Sequence, residues 1–212
     1  LAAECPGLHA VVIDAGDESS VESVFEVLRE KLGGIDVLVN NVGIAGPTGP
    51  AESITLEQWN ESLRVNLTSH FLFARAAIPL MKAQGNGLIV NISSGSAKVG
   101  LPLRLPYVVT KGAVLSLTTN LARELGPFGI RVNAILPGAI RGARIERVIA
   151  AKAEALGLSA ADYEKSLLRY TSMRTMVEPE DIAATIEFLA SSGGQRISGQ
   201  LIGVDGNVEW EE

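Results

Sequence analysis

Residues 88–94 read LIVNISS, and this stretch decides the fold of the chain. A short run of Leu, Ile and Val that ends in polar residues is typical of a strand buried on both faces. Similar runs lie at 9–14, 35–39, 130–136 and 201–204. Helical patterns separate these runs, and strands that alternate with helices predict an α/β fold. We therefore expect a doubly wound parallel sheet with helices on both faces.

Capping signals and apolar stripes mark the helices between these strands. Ser19 and Glu22 have the spacing of a capping box, and Gly33 ends the helical pattern that follows them. Thr55 and Gln58 have the same spacing and open a long helix that is expected to continue to about residue 82. The remaining helices are expected near 107–125, 145–156, 160–170 and 179–190.

Polar or special residues follow four of the predicted strands. Asp14, Asn41 and Ser94 each come just after an apolar run, and Pro137-Gly138 closes the run at 130–136. Ligands of open α/β sheets bind outside the carboxyl ends of the strands. These residues are therefore expected to lie together at one rim and to form a site.

Tyr107 and Lys111 lie just over one helical turn apart on the helix that follows Ser94. At this spacing the phenol and the ammonium share one helix face, and the cation favours the phenolate. A phenol has an ordinary pKa of about 10, and one lysine supplies only part of the shift needed for acid or base chemistry at neutral pH. The alternative interpretation is an ordinary exposed helix pair, because such spacings are common.

Composition excludes several classes of function. The chain has 212 residues, 47% of them hydrophobic and 20% charged, which predicts one soluble globular domain over residues 1–212. A net charge of −6 without a basic block argues against nucleic acid and against a membrane as partners. The single cysteine fits a reducing, cytoplasmic setting, and one cysteine with two distant histidines predicts no metal site.

Taken in order, the motifs of the whole chain resemble those of the short-chain dehydrogenase/reductase family, in its Tyr-x-x-x-Lys form. The resemblance implies a Rossmann-like fold and an NAD(P)-dependent enzyme that interconverts a secondary alcohol and a ketone. The matching segments are Asn40-Asn41-Val42-Gly43, Asn66, Ser94, Tyr107 with Lys111, Pro137-Gly138, Ser198-Gly199-Gln200 and Val204-Asp205-Gly206.

This resemblance implies a catalytic role for four residues. Tyr107 would exchange a proton with the substrate oxygen, and Lys111 would lower the pKa of Tyr107 and hold the nicotinamide ribose. Ser94 would donate a hydrogen bond to the developing oxyanion. Asn66 would hold a water that links Lys111 to solvent. Ser94 is preferred to Ser93 because its offset from Tyr107 fits the family better.

The cofactor implied by the resemblance is NAD or NADP. Asp14 and Ala15 would contact the adenine, and Lys111 and Tyr107 would contact the nicotinamide half. The other expected cofactor contacts are the backbone of Asn41, Val42 and Gly43, and the nicotinamide-lining residues Pro137, Gly138 and Ile140.

The chain departs from the family pattern in two main places, the front of the chain and Gly142. No Gly-rich phosphate loop precedes the run at 9–14, so the first strand, helix and strand of the fold are missing from the sequence. We favour a segment that was removed or left unrecorded over a true loss, because losing it would expose sheet edge. Gly142 stands where the family usually has a threonine that contacts the nicotinamide amide. The long segment 139–177 is expected to form a substrate lid.

Four arginines near the predicted site raise the question of an anionic substrate: Arg104, Arg141, Arg144 and Arg147. One of them could pair with a carboxylate or phosphate on the alcohol or ketone. The alternative is a solvated helix face.

Two other functions stay open at this point. The chain could be a non-catalytic remnant that acts as a binding or structural subunit, or a cofactor-independent lyase on the same scaffold. The intact tetrad argues against the remnant, and Lys111 argues against the lyase, because the related dehalogenases carry arginine there. Enoyl reductases of the wider family place their lysine further from the tyrosine. The resemblance also implies a homodimer or homotetramer.

Overall fold

A computed structural model describes residues 7–208, apart from the side chains at 144, 151, 152 and 155. Four strands form one sheet in chain order, and every pair of neighbours is parallel. The strands are Val37–Asn40 (β1), Gly87–Ile92 (β2), Ile130–Pro137 (β3) and Leu201–Val204 (β4). The predicted parallel sheet is confirmed, and the run at 88–92 lies at its centre as β2.

Eight α-helices of the described chain connect or follow these strands, and a π-helical segment at Arg64–Thr68 joins α2 to α3. The helices are Glu18–Leu32 (α1), Leu56–Leu63 (α2), Ser69–Gln84 (α3), Ser96–Val99 (α4), Leu105–Leu125 (α5), Ala143–Leu156 (α6), Ala160–Leu168 (α7) and Pro179–Ala190 (α8). None of the helices between residues 7 and 208 combines the length and apolar character needed to cross a bilayer.

The sheet has an apolar core on each face. One core joins α1, α3 and α5 to the sheet through residues such as Phe25, Met81 and Ile89. The other packs α8 onto the opposite face, where Leu189 meets Val90. Successive strand residues point to opposite faces, so Ile89 and Val90 serve different cores. Helices therefore cover both faces, as the alternating pattern predicts.

The prediction of a buried strand at 9–14 is wrong. Residues 8–14 have no regular secondary structure, and Val12 is 100% exposed. A strand needs a neighbour for its backbone N–H and C=O groups. Within the described chain β1 pairs with β2, and no strand lies beside 8–14. Residues 8–13 are thus an apolar stretch without a strand partner among the described residues.

The predicted capping box of the first helix is also wrong, whereas the second is confirmed. Asp17 caps α1, and its carboxylate accepts hydrogen bonds from Ser20 N at 2.8 Å and Ser19 Oγ at 2.7 Å. A carboxylate at the N-cap also complements the helix dipole, which explains why α1 begins before Ser19. Thr55 and Gln58 form both bonds of a capping box.

Candidate active site

Three loops meet at the carboxyl ends of the strands. Asn41 follows β1 directly, Ser94 lies two residues after β2, and Pro137 ends β3. The backbone ties the ends of β2, β3 and β4 together, since Gly95 N donates to Pro137 O at 3.1 Å and Gly138 N donates to Val204 O at 3.0 Å. The sequence placed these residues at one rim correctly. Asp14 is the exception, because it does not follow a strand.

Asn66 is fully buried in the π-helical segment between α2 and α3. Its Oδ1 accepts from Ile44 N at 2.7 Å, and its Nδ2 donates to Ile44 O and to Thr110 Oγ1, both at 3.1 Å. Single π-helical turns inside α-helices are frequent at functional sites. Asn66 thus links the loop after β1 to helix α5.

Lys111 brings its ammonium to the same place from α5. The side chain is buried, and Nζ donates to Ile92 O at 2.8 Å. A Cβ added to Gly43 would lie 3.3 Å from Lys111 Nζ and 3.3 Å from Asn66 Oδ1. Because Gly43 has no side chain, the Lys111 ammonium and the Asn66 amide can lie close to the backbone of the loop after β1.

Tyr107 and Ser94 lie half-buried near this cluster. Tyr107 O accepts from Thr110 Oγ1 at 2.8 Å, which connects the backbone of the tyrosine to the partner of Asn66. Ser94 Oγ lies 2.9 Å from Ser96 Oγ. The guanidinium of Arg104 lies 5.4 Å from the centre of the Tyr107 ring.

Ser93 has a structural role that separates it from Ser94. Its buried Oγ donates to Lys111 O at 2.7 Å and so fastens β2 to helix α5. This contact holds the backbone of Lys111. The preference for Ser94 as the residue that faces a ligand stays a prediction, and the engagement of Ser93 is consistent with it.

A buried polar ladder under the site was missed by the sequence reasoning. Asn40 Nδ2 donates to Asn91 Oδ1 at 2.9 Å, and Asn91 Nδ2 donates to Thr118 Oγ1 at 2.9 Å. The signal was present, because a polar residue inside a buried apolar strand needs a hydrogen-bonding partner. The ladder joins β1, β2 and α5.

His70 was also missed. It lies buried on α3, with Nε2 3.2 Å from Val42 O, and its Nδ1 has no hydrogen-bond partner among the described residues. Burial and the nearby charge of Lys111 lower the pKa of His70 to about 4. The ring is therefore neutral at pH 7, and its Nε2–H donates to Val42 O.

The expected adenine side of the site is organised differently. Both carboxylate oxygens of Asp14 accept from Arg64 Nη1, at 2.8 and 2.7 Å, and Gly16 N donates to Oδ1 at 2.9 Å. The hydrogen bond from Arg64, followed by that from Gly16, lowers the pKa of Asp14. Ala15 is half-buried beside it. Asp14 is thus an exposed anion that Arg64 already pairs.

The base of segment 139–177 is closed by backbone and side-chain contacts. Ile140 and Val177 form an isolated parallel bridge, with Arg141 N donating to Val177 O at 2.8 Å. Arg141 Nε donates to Glu178 at 2.9 Å and its Nη2 lies 3.5 Å from Glu164. Carboxylates of the chain therefore occupy Arg141, which favours the ordinary surface interpretation of this arginine. Among residues 7–208, no group of three acidic, His or Cys side chains could hold a metal ion.

Comparison with known proteins identifies the family. The family model described as enoyl-(acyl carrier protein) reductase matches residues 1–208. A 3alpha-hydroxysteroid dehydrogenase from Mediterraneibacter gnavus is 36% identical over 190 residues, which are 90% of this chain and 71% of that protein. This chain belongs to the short-chain dehydrogenase/reductase family. The resemblance drawn from the motifs is confirmed, and the chain is an oxidoreductase of this type.

Solved structures of the family share the fold. An NAD+-bound xylitol dehydrogenase is similar with a TM-score of 0.83 and 28% identity, covering 92% of this short-chain dehydrogenase and 77% of that chain. The structure of ElxO with NADP bound gives a TM-score of 0.82 and 30% identity, covering 92% and 75%. The Rossmann-like prediction for the fold is therefore confirmed.

Proposed function

We propose that this short-chain dehydrogenase/reductase interconverts a secondary alcohol and a ketone by hydride transfer, with Tyr107 as the general acid and base. One observation carries the proposal. Two buried side chains, Lys111 and Asn66, converge on Gly43, and Tyr107 stands one turn before Lys111 on the same helix. A buried ammonium is costly, and a site that retains one at a ligand-binding rim has a use for its charge.

The proposed roles follow from these positions. Tyr107 gives a proton to the substrate oxygen when a ketone is reduced and takes it back in the reverse direction. The Lys111 ammonium favours the phenolate, because an opposite charge nearby stabilises the ionised form. Ser94 Oγ–H donates to the same substrate oxygen in place of its present partner Ser96. Asn66 bonds to Ile44 in the loop after β1 and to Thr110 on α5, so it fixes the position of this loop relative to α5.

The cofactor in this proposal is NAD or NADP, whose nicotinamide supplies or accepts the hydride. The residues present fit the nicotinamide half, because the loop at Gly43 has no side chain to cover Lys111 Nζ. Asn41, Val42, Pro137, Gly138 and Ile140 lie on the loops around that point. Relatives with NAD+ and with NADP share this fold, so the fold is compatible with both. The exposed carboxylate of Asp14 can accept a further hydrogen bond from an adenine while Arg64 pairs it.

Segment 139–177 acts as the substrate lid in this proposal, within a single domain that spans the chain. Helices α6 and α7 form its body, and the Ile140–Val177 bridge fixes its base. A lid of this kind excludes water from the reacting atoms.

The substrate is a small alcohol or ketone. We also propose a cytoplasmic enzyme that works as a homodimer or homotetramer, which size-exclusion chromatography with light scattering tests directly.

The test compares the chain with Tyr107→Phe. Purified protein is titrated with NADH and with NADPH, and oxidation of the reduced cofactor is followed at its absorbance band with a panel of ketones. We expect binding of one cofactor by both proteins, turnover by the parent chain, and a loss of kcat of about 100-fold or more in Tyr107→Phe. Ser23→Ala, at an exposed position on α1, also loses one hydroxyl group, and this control should keep its activity. Equal turnover by Tyr107→Phe would contradict the assigned role.

A negative result in the same titration has a definite meaning. A folded chain that binds neither NADH nor NADPH at millimolar concentration refutes dehydrogenase activity for this 212-residue form.

A further inference from the structure

Among the described arginines, Arg104 alone keeps a buried side-chain nitrogen without a hydrogen-bond partner. Arg64 pairs with Asp14 and Glu61, Arg75 pairs with Glu18, and Arg141 pairs with Glu178 and Glu164. Arg104 has no carboxylate partner within residues 7–208. Its positive charge is therefore not neutralised by the part of the chain that the structure describes.

The guanidinium of Arg104 is only partly satisfied. Its Nη2 donates to Ala45 O at 2.7 Å, while the buried Nε has no hydrogen-bond partner among the described residues. A guanidinium has five N–H donors in a planar fork that suits a carboxylate or a phosphate. A buried donor left unpaired costs about 1–3 kcal/mol, so a small rotation that gives Nε an anionic partner would be favourable.

The position of Arg104 places this charge beside the proposed acid and base. Arg104 is the N-cap residue of α5, three residues before Tyr107, and its Cζ lies 5.4 Å from the Tyr107 ring centre. Ala45, whose carbonyl bonds to Arg104, directly follows Ile44. The backbone N–H and C=O of Ile44 both form hydrogen bonds with the Asn66 side chain. Arg104 thus bridges the loop after β1 and the tyrosine, at the rim where the substrate would meet Tyr107.

The backbone before Arg104 keeps the side chain there. Leu103 has a φ of 65°, in the left-handed region that a leucine rarely adopts. Its carbonyl accepts from Gly49 N at 2.9 Å, so the loop before α5 is fastened to the loop after β1. Backbone residues held in such sparsely populated regions cluster at active sites and ligand-binding loops.

We propose that Arg104 recognises an anionic group, a carboxylate or a phosphate, on the substrate of this enzyme. The proposal rests on the proposed dehydrogenase function, because it takes Tyr107 as the point where the reacting oxygen binds. The anionic group replaces the missing carboxylate partner of Arg104, with Nε and a terminal nitrogen forming the two parallel hydrogen bonds. Arg104 would set which alcohols or ketones enter the site, while Tyr107 and Lys111 perform the proton transfer.

Anion binding without turnover is the decisive measurement. NMR or calorimetric titrations with acetate and with inorganic phosphate, at constant ionic strength, compare the parent chain with Arg104→Gln and Arg104→Lys. Arg29→Gln, at an exposed position on α1, removes the same charge and is the matched control. We expect the parent chain and Arg29→Gln to bind one of the two anions in the millimolar range, with about 10-fold weaker binding in Arg104→Gln. Arg104→Lys should be intermediate because it keeps the charge and loses the fork.

Each result decides between definite alternatives. The anion that binds tells a carboxylate substrate from a phosphate substrate. Equal binding by the parent chain and both Arg104 variants, or no binding by a folded parent chain, overturns the proposal. If Arg104→Gln does not fold, Arg104→Lys gives the comparison. Because no hydride transfer is needed, a chain that binds the anion through Arg104 and reduces no ketone refutes only the dehydrogenase function.

A second comparison uses turnover where it occurs. Acetoacetate is paired with its methyl ester, and dihydroxyacetone phosphate with dihydroxyacetone. We expect Arg104→Gln to lower kcat/KM for the anionic member of one pair by about 10-fold, mainly through KM, and to leave the neutral member unchanged. An equal loss for both members would mean that Arg104 only positions Tyr107, which contradicts the proposal.

Discussion

Strand β2 and the stretch 8–13 are both short apolar runs, but they have opposite environments. Every residue of Gly87–Ile92 is buried, whereas Val12 is fully exposed and Val11 is 47% exposed. β2 lies between β1 and β3, and both neighbours satisfy its backbone. The stretch 8–13 has the composition of a strand without a neighbour in the described chain. Apolar composition therefore predicts a strand only where a pairing edge is available.

The same contrast divides the proposed site. On the side of β2 and α5, Asn66, Lys111 and Asn91 are buried and bonded to groups far away in sequence. On the side of 8–16, Asp14 is exposed and its partners are the backbone of Gly16 and Arg64. Asn66 and Lys111, for which we propose roles in proton transfer, are thus buried in the core, while Asp14, which is expected to contact the adenine, lies on the surface. Mutations should affect stability strongly in the first region and weakly in the second.

The largest effect is expected at the buried ladder. Asn91→Ala removes the bonds to Asn40 and Thr118 and leaves the Asn40 amide buried without its main acceptor. We expect the free energy of unfolding to fall by about 3 kcal/mol, measured by urea denaturation at pH 7. Asn120→Ala, at an exposed position on α5, is the control and should change stability by less than about 0.5 kcal/mol. Equal losses of unfolding free energy in Asn91→Ala and Asn120→Ala would mean that the buried hydrogen bonds do not stabilise this region more than its surface.

A second effect follows from the buried imidazole of His70. An unfolded histidine takes up a proton as the pH falls through about 6.5, whereas burial and Lys111 hold the pKa of folded His70 at about 4. Between these values the unfolded chain binds the extra proton and the folded chain does not, so stability falls as the pH falls. From pH 7 to pH 5 the loss from this group is about 2 kcal/mol.

Urea denaturation at both pH values measures this loss. His70→Gln cannot titrate, while its amide can still donate to Val42 O. Its free energy of unfolding should therefore depend less on pH than that of the parent chain, by about the same 2 kcal/mol. A parent chain and variant with parallel pH dependence would show that His70 is not protected from protonation.

Local sequence signals predicted several parts of this molecule that local contacts determine, although the capping box at Ser19 and Glu22 did not form. Thr55 and Gln58 are three residues apart, and their capping box is present. The strand at 201–204 and the helix at 179–190 have the predicted bounds. At 9–14 the same apolar signal failed, because strand formation depends on a partner that lies elsewhere in the chain.

The internal bonds of the site could not be predicted for the same reason. Asn66 bonds to Ile44, and Lys111 bonds to Ile92 O, both across long sequence separations. The family motif identified Asn66 and Lys111 as candidates, but spacing could not reveal that a π-helical segment turns Asn66 inward. Their catalytic roles stay predictions.

A smaller effect on stability is expected at Gly43, where the two regions of the site meet. In Gly43→Ala the new Cβ would lie 3.3 Å from both Lys111 Nζ and Asn66 Oδ1, so these groups must move by a few tenths of an ångström. We expect a loss of at most about 1 kcal/mol in stability, together with about 10-fold weaker NADH or NADPH binding because the methyl group covers the ammonium. Gly112→Ala, on α5 with nothing within 4 Å of its added Cβ, is the control. Unchanged cofactor binding in Gly43→Ala would mean that Lys111 does not contact the bound cofactor.

The smallest effect on stability is expected in the exposed stretch 8–13. Val12 is 100% exposed and makes no packing contribution that the described chain reveals, so Val12→Ser should change the free energy of unfolding by less than about 0.5 kcal/mol. Urea denaturation at two protein concentrations measures this change in unfolding free energy and also detects self-association.

A loss above about 1 kcal/mol would mean that Val12 is covered in solution. A loss that grows with protein concentration would assign that cover to a second copy of the chain, because association stabilises only by mass action. A loss independent of concentration would assign the cover to the chain itself, and the contrast between β2 and the stretch 8–13 would then fail.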